Sequence, residues 1–316
     1  RVFHNQIPLI AELLQIYFHP ILSRRSEKPA TLAVVVRHLV RKQNLSNTHS
    51  RGTTMSSTSD HVLSRDGNPI HYEVRGDGEV AVVFVHGWCG SRSHWRQQMG
   101  PFSEKYRVVA LDLVGHGESG VARDAWTMSA FGEDVVAVIE KLGLRKVVLA
   151  GHSMGGFVIV EAARQMPERV VGLIGADSFQ IVGERNTKAV VSKSLPPPAD
   201  FESALRTWLS QKFPPGSDPA LVEQIADEMC STPPEIAYPV HDEMMTNGQR
   251  QGEGLLELKM KTITINESDG QSDADAFAKY DIEVMPMSGG GPFVMLEDPE
   301  TFNRLLAKAI DAIVTA

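Results

Sequence analysis

A serine set among glycines, Gly151-His152-Ser153-Met154-Gly155-Gly156, constrains this chain more than any other stretch. The apolar run Val147-Val148-Leu149-Ala150 leads into it, and Phe157-Val158-Ile159-Val160-Glu161-Ala162-Ala163, helical in character, leads out. A strand must therefore become a helix within one tight turn. The glycines permit this: a Cβ beside the serine would clash, and the serine itself is forced into a strained backbone conformation. Its hydroxyl then stands clear of the sheet at the positive end of the following helix. The pattern Gly-x-Ser-x-Gly is the elbow that presents a serine nucleophile. It asks the rest of the chain for a base, an acid and an oxyanion hole.

The surrounding pattern alternates strands with helices. His61–Arg65 and Ile70–Val74 flank the hairpin signal Asp66-Gly67-Asn68. Val80–Val85 is an unbroken apolar run, as expected of a strand buried on both faces. Arg107–Leu111, the Val147 strand and Val170–Ala176 follow. Between the first two of these, a helix capped by Thr127 runs to Leu142, with Gly143 just beyond its end. Strands recur near Met260–Ile265 and Ile282–Met287, with helices near Asp273–Tyr280 and over Pro299–Val314. Alternation at this spacing predicts an α/β, doubly wound, mostly parallel sheet.

From Gly183 to Glu257 the texture changes. Prolines 196–198, 214–215, 219 and 233–234 divide three helical candidates, Asp200–Gln211, Pro219–Cys230 and Glu235–Met245. Residues 183–257 are therefore expected to form an inserted helical cap on a core of residues 60–182 and 258–316. Residues 1–54 carry eight Lys/Arg against two Asp/Glu, whereas the remainder carries 23 against 37. This Arg-rich extension fits an organelle-targeting presequence or a non-native extension upstream of Met55; in either case it stands outside the fold. An acidic body argues against nucleic acid as a partner. No apolar run reaches the roughly 20 residues needed to span a bilayer, so stable membrane insertion is not expected. Two cysteines, Cys89 and Cys230, make no disulfide framework and fit a reducing, cytoplasmic compartment.

Four segments together give the chain a resemblance. They are His86-Gly87-Trp88, the loop Asp112-Leu113-Val114-Gly115-His116-Gly117-Glu118-Ser119, the elbow, and Phe293-Val294-Met295-Leu296-Glu297-Asp298-Pro299. Residues 60–316 resemble the α/β-hydrolase superfamily, in its serine esterase and lipase-like branch. The resemblance implies an eight-stranded sheet with the cap inserted after the sixth strand. It also implies hydrolysis of carboxylic esters through an acyl-enzyme on Ser153. The backbone N–H groups of Trp88 and Met154 would form the oxyanion hole. The acid is expected after the seventh strand, at Asp269, with Glu267 as fallback and Asp177, just past the sixth strand, as a second candidate. His86 reads as a structural histidine and His152 as pointing away from the serine. Asp112 and His116 read as part of a structural loop rather than a metal site, since further ligands are missing. No cofactor is implied. A small apolar acyl compound is the expected substrate. Phe201, Trp208, Phe213, Met229, Tyr238, Met244 and Met245 would either roof its pocket or form the cap's own core.

One position departs from the family pattern. A histidine is expected immediately before Phe293, whereas the chain reads Gly291-Pro292-Phe293 and holds no histidine after His241. Proline has no side-chain proton acceptor, and a serine without a base is a weak nucleophile at neutral pH. Three explanations stand open: a ligand-binding member without turnover, an active parent altered at one position, or another histidine, His241 in the cap, acting as substitute. Lactone, thioester or carbon–carbon bond hydrolysis are alternative reactions for the same machinery.

Overall fold

A computed structural model of the chain describes residues 57–184, 200–267 and 274–316, all within one compact unit, Ser50–Ala316. The N-terminal extension 1–54 and Asp269 lie outside the described residues. The strands are β1 (Thr58–Leu63), β2 (Pro69–Arg75), β3 (Ala81–Val85), β4 (Arg107–Leu111), β5 (Val147–His152), β6 (Val170–Ala176), β7 (Thr262–Glu267) and β8 (Ile282–Met287). They form one eight-stranded sheet in the order β1-β2-β4-β3-β5-β6-β7-β8. Only β2 runs against its neighbours, β1 and β4; from β4 to β8 every pairing is parallel.

Parallel strands must be joined by crossovers that cover both faces. The burial pattern shows this: Val83 and Val85 of β3 face one apolar layer, and Val82 and Phe84 face the other. Helices α1 (Arg96–Ser103) and α10 (Pro299–Val314) cover the second face. The first is covered by α2 (Met128–Lys141) and α3 (Gly155–Gln165), the helix that leaves the elbow. The helix α2 begins where the Thr127 hydroxyl accepts the Ala130 N–H at 3.1 Å. It ends before Gly143, whose φ of +64° suits a residue without a Cβ.

Between β6 and β7 the described residues form four helices: α4 (Phe201–Lys212), α5 (Pro219–Cys230), α6 (Pro234–Thr246) and α7 (Gly248–Leu258). Three match the prolines' divisions. The fourth, α7, docks on the core rather than roofing it. Its Arg250 grips the buried Glu161 carboxylate of α3 with two hydrogen bonds, at 2.7 and 2.8 Å. Short helices α8 (Ala274–Lys279) and α9 (Val294–Glu297) complete the chain.

The strand order puts β5 near the middle of the sheet, so its carboxyl end opens where ligands bind in α/β folds. The elbow there is packed without slack. A Cβ on Gly155 would lie 2.6 Å from the Val85 carbonyl oxygen and 2.9 Å from that of His86, both main-chain atoms. Gly155→Ala should therefore lower stability by roughly 1–3 kcal/mol, the usual cost of overpacking. The urea midpoint at constant slope measures it; an unchanged midpoint would mean that the two backbones can separate freely.

Candidate active site

Ser153 sits at φ +49°, in the left-handed region that costs a non-glycine residue of order 1–3 kcal/mol. Several bonds hold it there. Its N–H donates to the Ala176 carbonyl at 3.0 Å. Its carbonyl accepts from the Gly156 N–H and the Ser178 hydroxyl, both at 2.9 Å. Ser178 is held in turn by Asn266, which accepts its N–H at 3.1 Å and donates to its carbonyl at 3.0 Å. The ends of β5, β6 and β7 are thus tied behind the serine. Nothing in residue composition signals this network; only the strand order brings Ser178 and Asn266 to the elbow.

The turn after β3 lies directly against the elbow. A Cβ on Gly87 would lie 2.8 Å from the His152 Nδ1 and 3.1 Å from its carbonyl oxygen. Among the described residues, neither the Trp88 N–H nor the Met154 N–H has a hydrogen-bond partner. Such groups normally find one unless a ligand or water is to supply it. Met154 precedes the first residue of α3, where unpaired N–H groups and the helix dipole favour negative charge. The Trp88 indole points the other way, into the cap: its Nε1–H donates to the Ala237 carbonyl of α6 at 2.8 Å.

Three histidines, His86, His116 and His152, are buried. Burial pushes His86, His116 and His152 each down to about 3. His86 donates from Nδ1 to the Gly87 carbonyl at 2.8 Å and accepts the Leu113 N–H on Nε2 at 3.0 Å, so a second proton has no place. Asp112 accepts the N–H groups of Arg92 and Glu118, at 2.7 and 2.9 Å, and the Arg92 guanidinium. It ties the loops after β3 and β4 together.

Pro292 lies beside the elbow, because its carbonyl accepts the Nε2–H of His152 at 2.8 Å. Asp177 directly follows Ala176, the acceptor of the serine's N–H. It has φ +43°, and its carboxylate accepts from the Gln180 amide at 2.7 Å. Glu267 ends β7. His241 is half-buried with its ring 5.5 Å from that of Trp88, in edge contact, rather than on the outer surface of α6. Burial lowers its pKa from the ordinary value.

The apolar residues of the cap divide. Phe201 packs edge-on to Trp88 and against Tyr238, with ring centres 6.1 and 5.6 Å apart. Phe213 stacks on Phe293 at 5.8 Å. Met229 joins the same apolar layer, and Met244 packs on the opposite one. Met245 is half-buried. Trp208 is 41% exposed and faces the Lys212 ammonium.

The fold has known counterparts. The sequence model of the alpha/beta hydrolase fold matches residues 80–213. The chain is 33% identical over 162 residues to the dihydrolipoyllysine-residue acetyltransferase component of an acetoin cleaving system from Pseudomonas putida. That match covers 50% of this chain and 41% of the other. It is 34% identical over 139 residues to a bifunctional esterase/perhydrolase from Acinetobacter calcoaceticus, covering 43% and 45%. The chain thus spans less than half the length of these curated relatives. Among solved structures, an esterase from Exiguobacterium antarcticum superposes with a TM-score of 0.70 at 21% identity, covering 80% of this chain and all of that one. The chain carries the α/β-hydrolase fold. Another structural neighbour, the enol-lactonase from Burkholderia xenovorans LB400, has a TM-score of 0.67 at 16% identity, covering 80% of this chain and all of its own. The shared fold thus accommodates more than one named reaction.

A buried polar contact joins α5 of the cap to the turn after β3. The Nε2 of buried His94 lies 3.1 Å from the Glu228 carboxylate of α5, which also accepts the Ser93 hydroxyl at 2.6 Å. Burial works to raise the Glu228 carboxyl, but His94, Ser93 and Gln224 outweigh it and bring it to about 2. A group whose folded pKa is depressed stabilises above its unfolded pKa, and that stability is lost as pH falls toward the folded value. For His86, His116 and His152 the loss starts near pH 6.5 and continues to about 3; for Glu228 it runs from about 4.5 to 2. The melting temperature should fall steadily as pH is lowered from 6.5. Glu228→Gln should flatten the part of the curve below about 4.5. A melting temperature unchanged from pH 7 to 4 would contradict the neutral, buried state of these rings.

Proposed function

We propose that this chain is a serine hydrolase of the carboxylic-ester type whose own base has been replaced by Pro292. The observation that carries the reading is Ser153, held left-handed on the elbow beside the unpaired N–H groups of Trp88 and Met154. That juxtaposition suits acyl transfer: the Ser153 Oγ attacks an acyl carbonyl, and the two N–H groups receive the oxyanion of the tetrahedral intermediate. Collapse expels the alcohol and leaves the acyl-enzyme, which water then hydrolyses. Both halves move a proton. In a complete triad an imidazole takes it from the serine and returns it to the leaving oxygen. Here that proton must go to solvent, so turnover is slow.

Asp269, after β7, is the proposed acid and Asp177 the alternative; Asp177 follows the residue whose carbonyl anchors the serine N–H. The substrate is proposed to be a small apolar acyl compound, bordered by Trp88, Phe201 and Tyr238. That curated relatives include a named esterase/perhydrolase agrees with this reaction class. Cys89 and Cys230, both buried and not joined in a disulfide, support a reducing, cytoplasmic setting. No helix among the described residues is long and apolar enough to cross a membrane.

Pro292 itself favours a second reading, a ligand-binding member that keeps the pocket without turnover. The deciding experiment is Pro292→His assayed on short-chain p-nitrophenyl esters. A positioned general base contributes typically about 10²–10⁴-fold, so kcat/KM should rise by that amount over the native chain. Activity should climb with pH through about 6.5 as the imidazole loses its proton. A folded Pro292→His variant that stays inert would overturn the esterase reading and leave the binding reading in its place.

A further inference from the structure

The tripeptide Gly291-Pro292-Phe293 is gripped at its polar main-chain atoms by two side chains that belong to neither the proposed nucleophile nor the proposed oxyanion hole. Glu297 takes the N–H groups on both sides of residue 292: one carboxylate oxygen accepts from Gly291 and the other from Phe293, each at 2.8 Å. His152 takes the carbonyl of residue 292 itself, donating from Nε2 at 2.8 Å. Because a carbonyl can only accept, the proton must sit on Nε2. That leaves Nδ1 bare, buried and closed off by Gly87. The ring is further held by Phe293, with centres 5.0 Å apart. Phe293 in turn packs edge-on to His94 at 5.2 Å and stacks on Phe213 at 5.8 Å.

We infer that His152 and Glu297 are positioning residues which clamp the peptide of residue 292 against the elbow, so that the clamp, and not the side chain at 292, sets the direction of that side chain. This rests on the serine-hydrolase reading above and extends it to the seat of the base. The physical argument is one of degrees of freedom. A loop residue's Cα–Cβ direction is fixed once its flanking peptide planes are fixed, and hydrogen bonds to a carboxylate are among the stronger ones available. Proline at 292 sacrifices no bond here, since it lacks only an N–H that the clamp does not use. The His152 residue adjoins Ser153 in sequence, so the same backbone that bears the nucleophile also fixes residue 292. An imidazole placed at 292 would be aimed by contacts that do not depend on it. Misplacement by about 1 Å can cost as much as 100-fold in rate, which sets the size of the effect expected when the clamp is opened.

Two measurements test this, one without activity. In the native chain, amide hydrogen exchange at Phe293 should speed up at least about tenfold in His152→Leu, while amides of β5 keep their protection. In His152→Gln, whose amide N–H can reach the same carbonyl, the Phe293 rate should stay near native. In the Pro292→His background, His152→Leu and Glu297→Ala should each lower kcat by about 10–100-fold with KM little changed. His152→Gln should restore most of the loss. If kcat in folded Pro292→His/His152→Leu equals that of Pro292→His, or exchange at Phe293 is unmoved, the clamp is refuted while the hydrolase reading stands. If Pro292→His is folded but inert, the hydrolase reading falls, and the exchange result alone decides the clamp.

Discussion

The backbone of Ser153 is held in a conformation that no isolated serine would choose, and much of the site follows from how it is held. A left-handed non-glycine residue persists only where its surroundings over-determine it. Here the Ala176 carbonyl, the Gly156 N–H and the Ser178 hydroxyl do so, with Asn266 behind them. These partners come from the ends of β6 and β7, which lie beside β5 in the sheet, and from α3, the helix that leaves β5. The strain therefore depends on the sheet's order, and the sheet's order depends on crossovers that bury both of its faces. Glycines 87 and 155 let the turn after β3 press onto the elbow with main-chain atoms in contact. The two unpaired N–H groups stand on those two touching turns.

A second held segment faces the first. The loop at Gly291-Pro292-Phe293 is tied to the elbow through His152 and to its own helix through Glu297. Proline at residue 292 offers no side-chain proton acceptor, yet the main-chain bonds around it are intact. Proline's ring also suits a position whose N–H has no partner to lose. The cap is coupled to the same region, through Trp88 to α6 and through His94 to Glu228 on α5. Changes in the cap's seating are therefore felt beside the site.

Much of this could be read from residues alone, and the reasons are local. β4, β6 and β8 were bounded by their apolar runs to the residue, as was α10 by its amphipathic period, and Thr127 and Gly143 marked the ends of α2. Three cap helices were separable because proline stops helices. The fourth, α7, carries Gly248, Gly252 and Gly254, which disfavour a helix, and close packing requires them: Gly252 lies on Tyr280, Gly254 on α3 and Gly248 on the main chain of Ile181 and Glu184. The serine elbow is a contiguous signal and was legible. Ser178, Asn266, Glu228 and Glu297 were not, because their roles arise from pairings across 25 to 135 residues of chain or from a carboxylate folding back on its own loop. Such residues look like ordinary polar positions until strand order is known. His241 shows the same limit: the cap turns it inward onto Trp88, and its neighbours along the chain give no sign of that.

The central claim is that a competent nucleophile and oxyanion hole stand here with only the base missing. Phosphonylation of Ser153 by a fluorophosphonate, followed by intact mass, tests it most directly, since a single covalent event needs no turnover. The account predicts slow labelling of the native chain, labelling about 10²–10⁴-fold faster in Pro292→His, and none in Ser153→Ala. Equal rates in the native chain and Pro292→His, or label found on a residue other than Ser153, would contradict it.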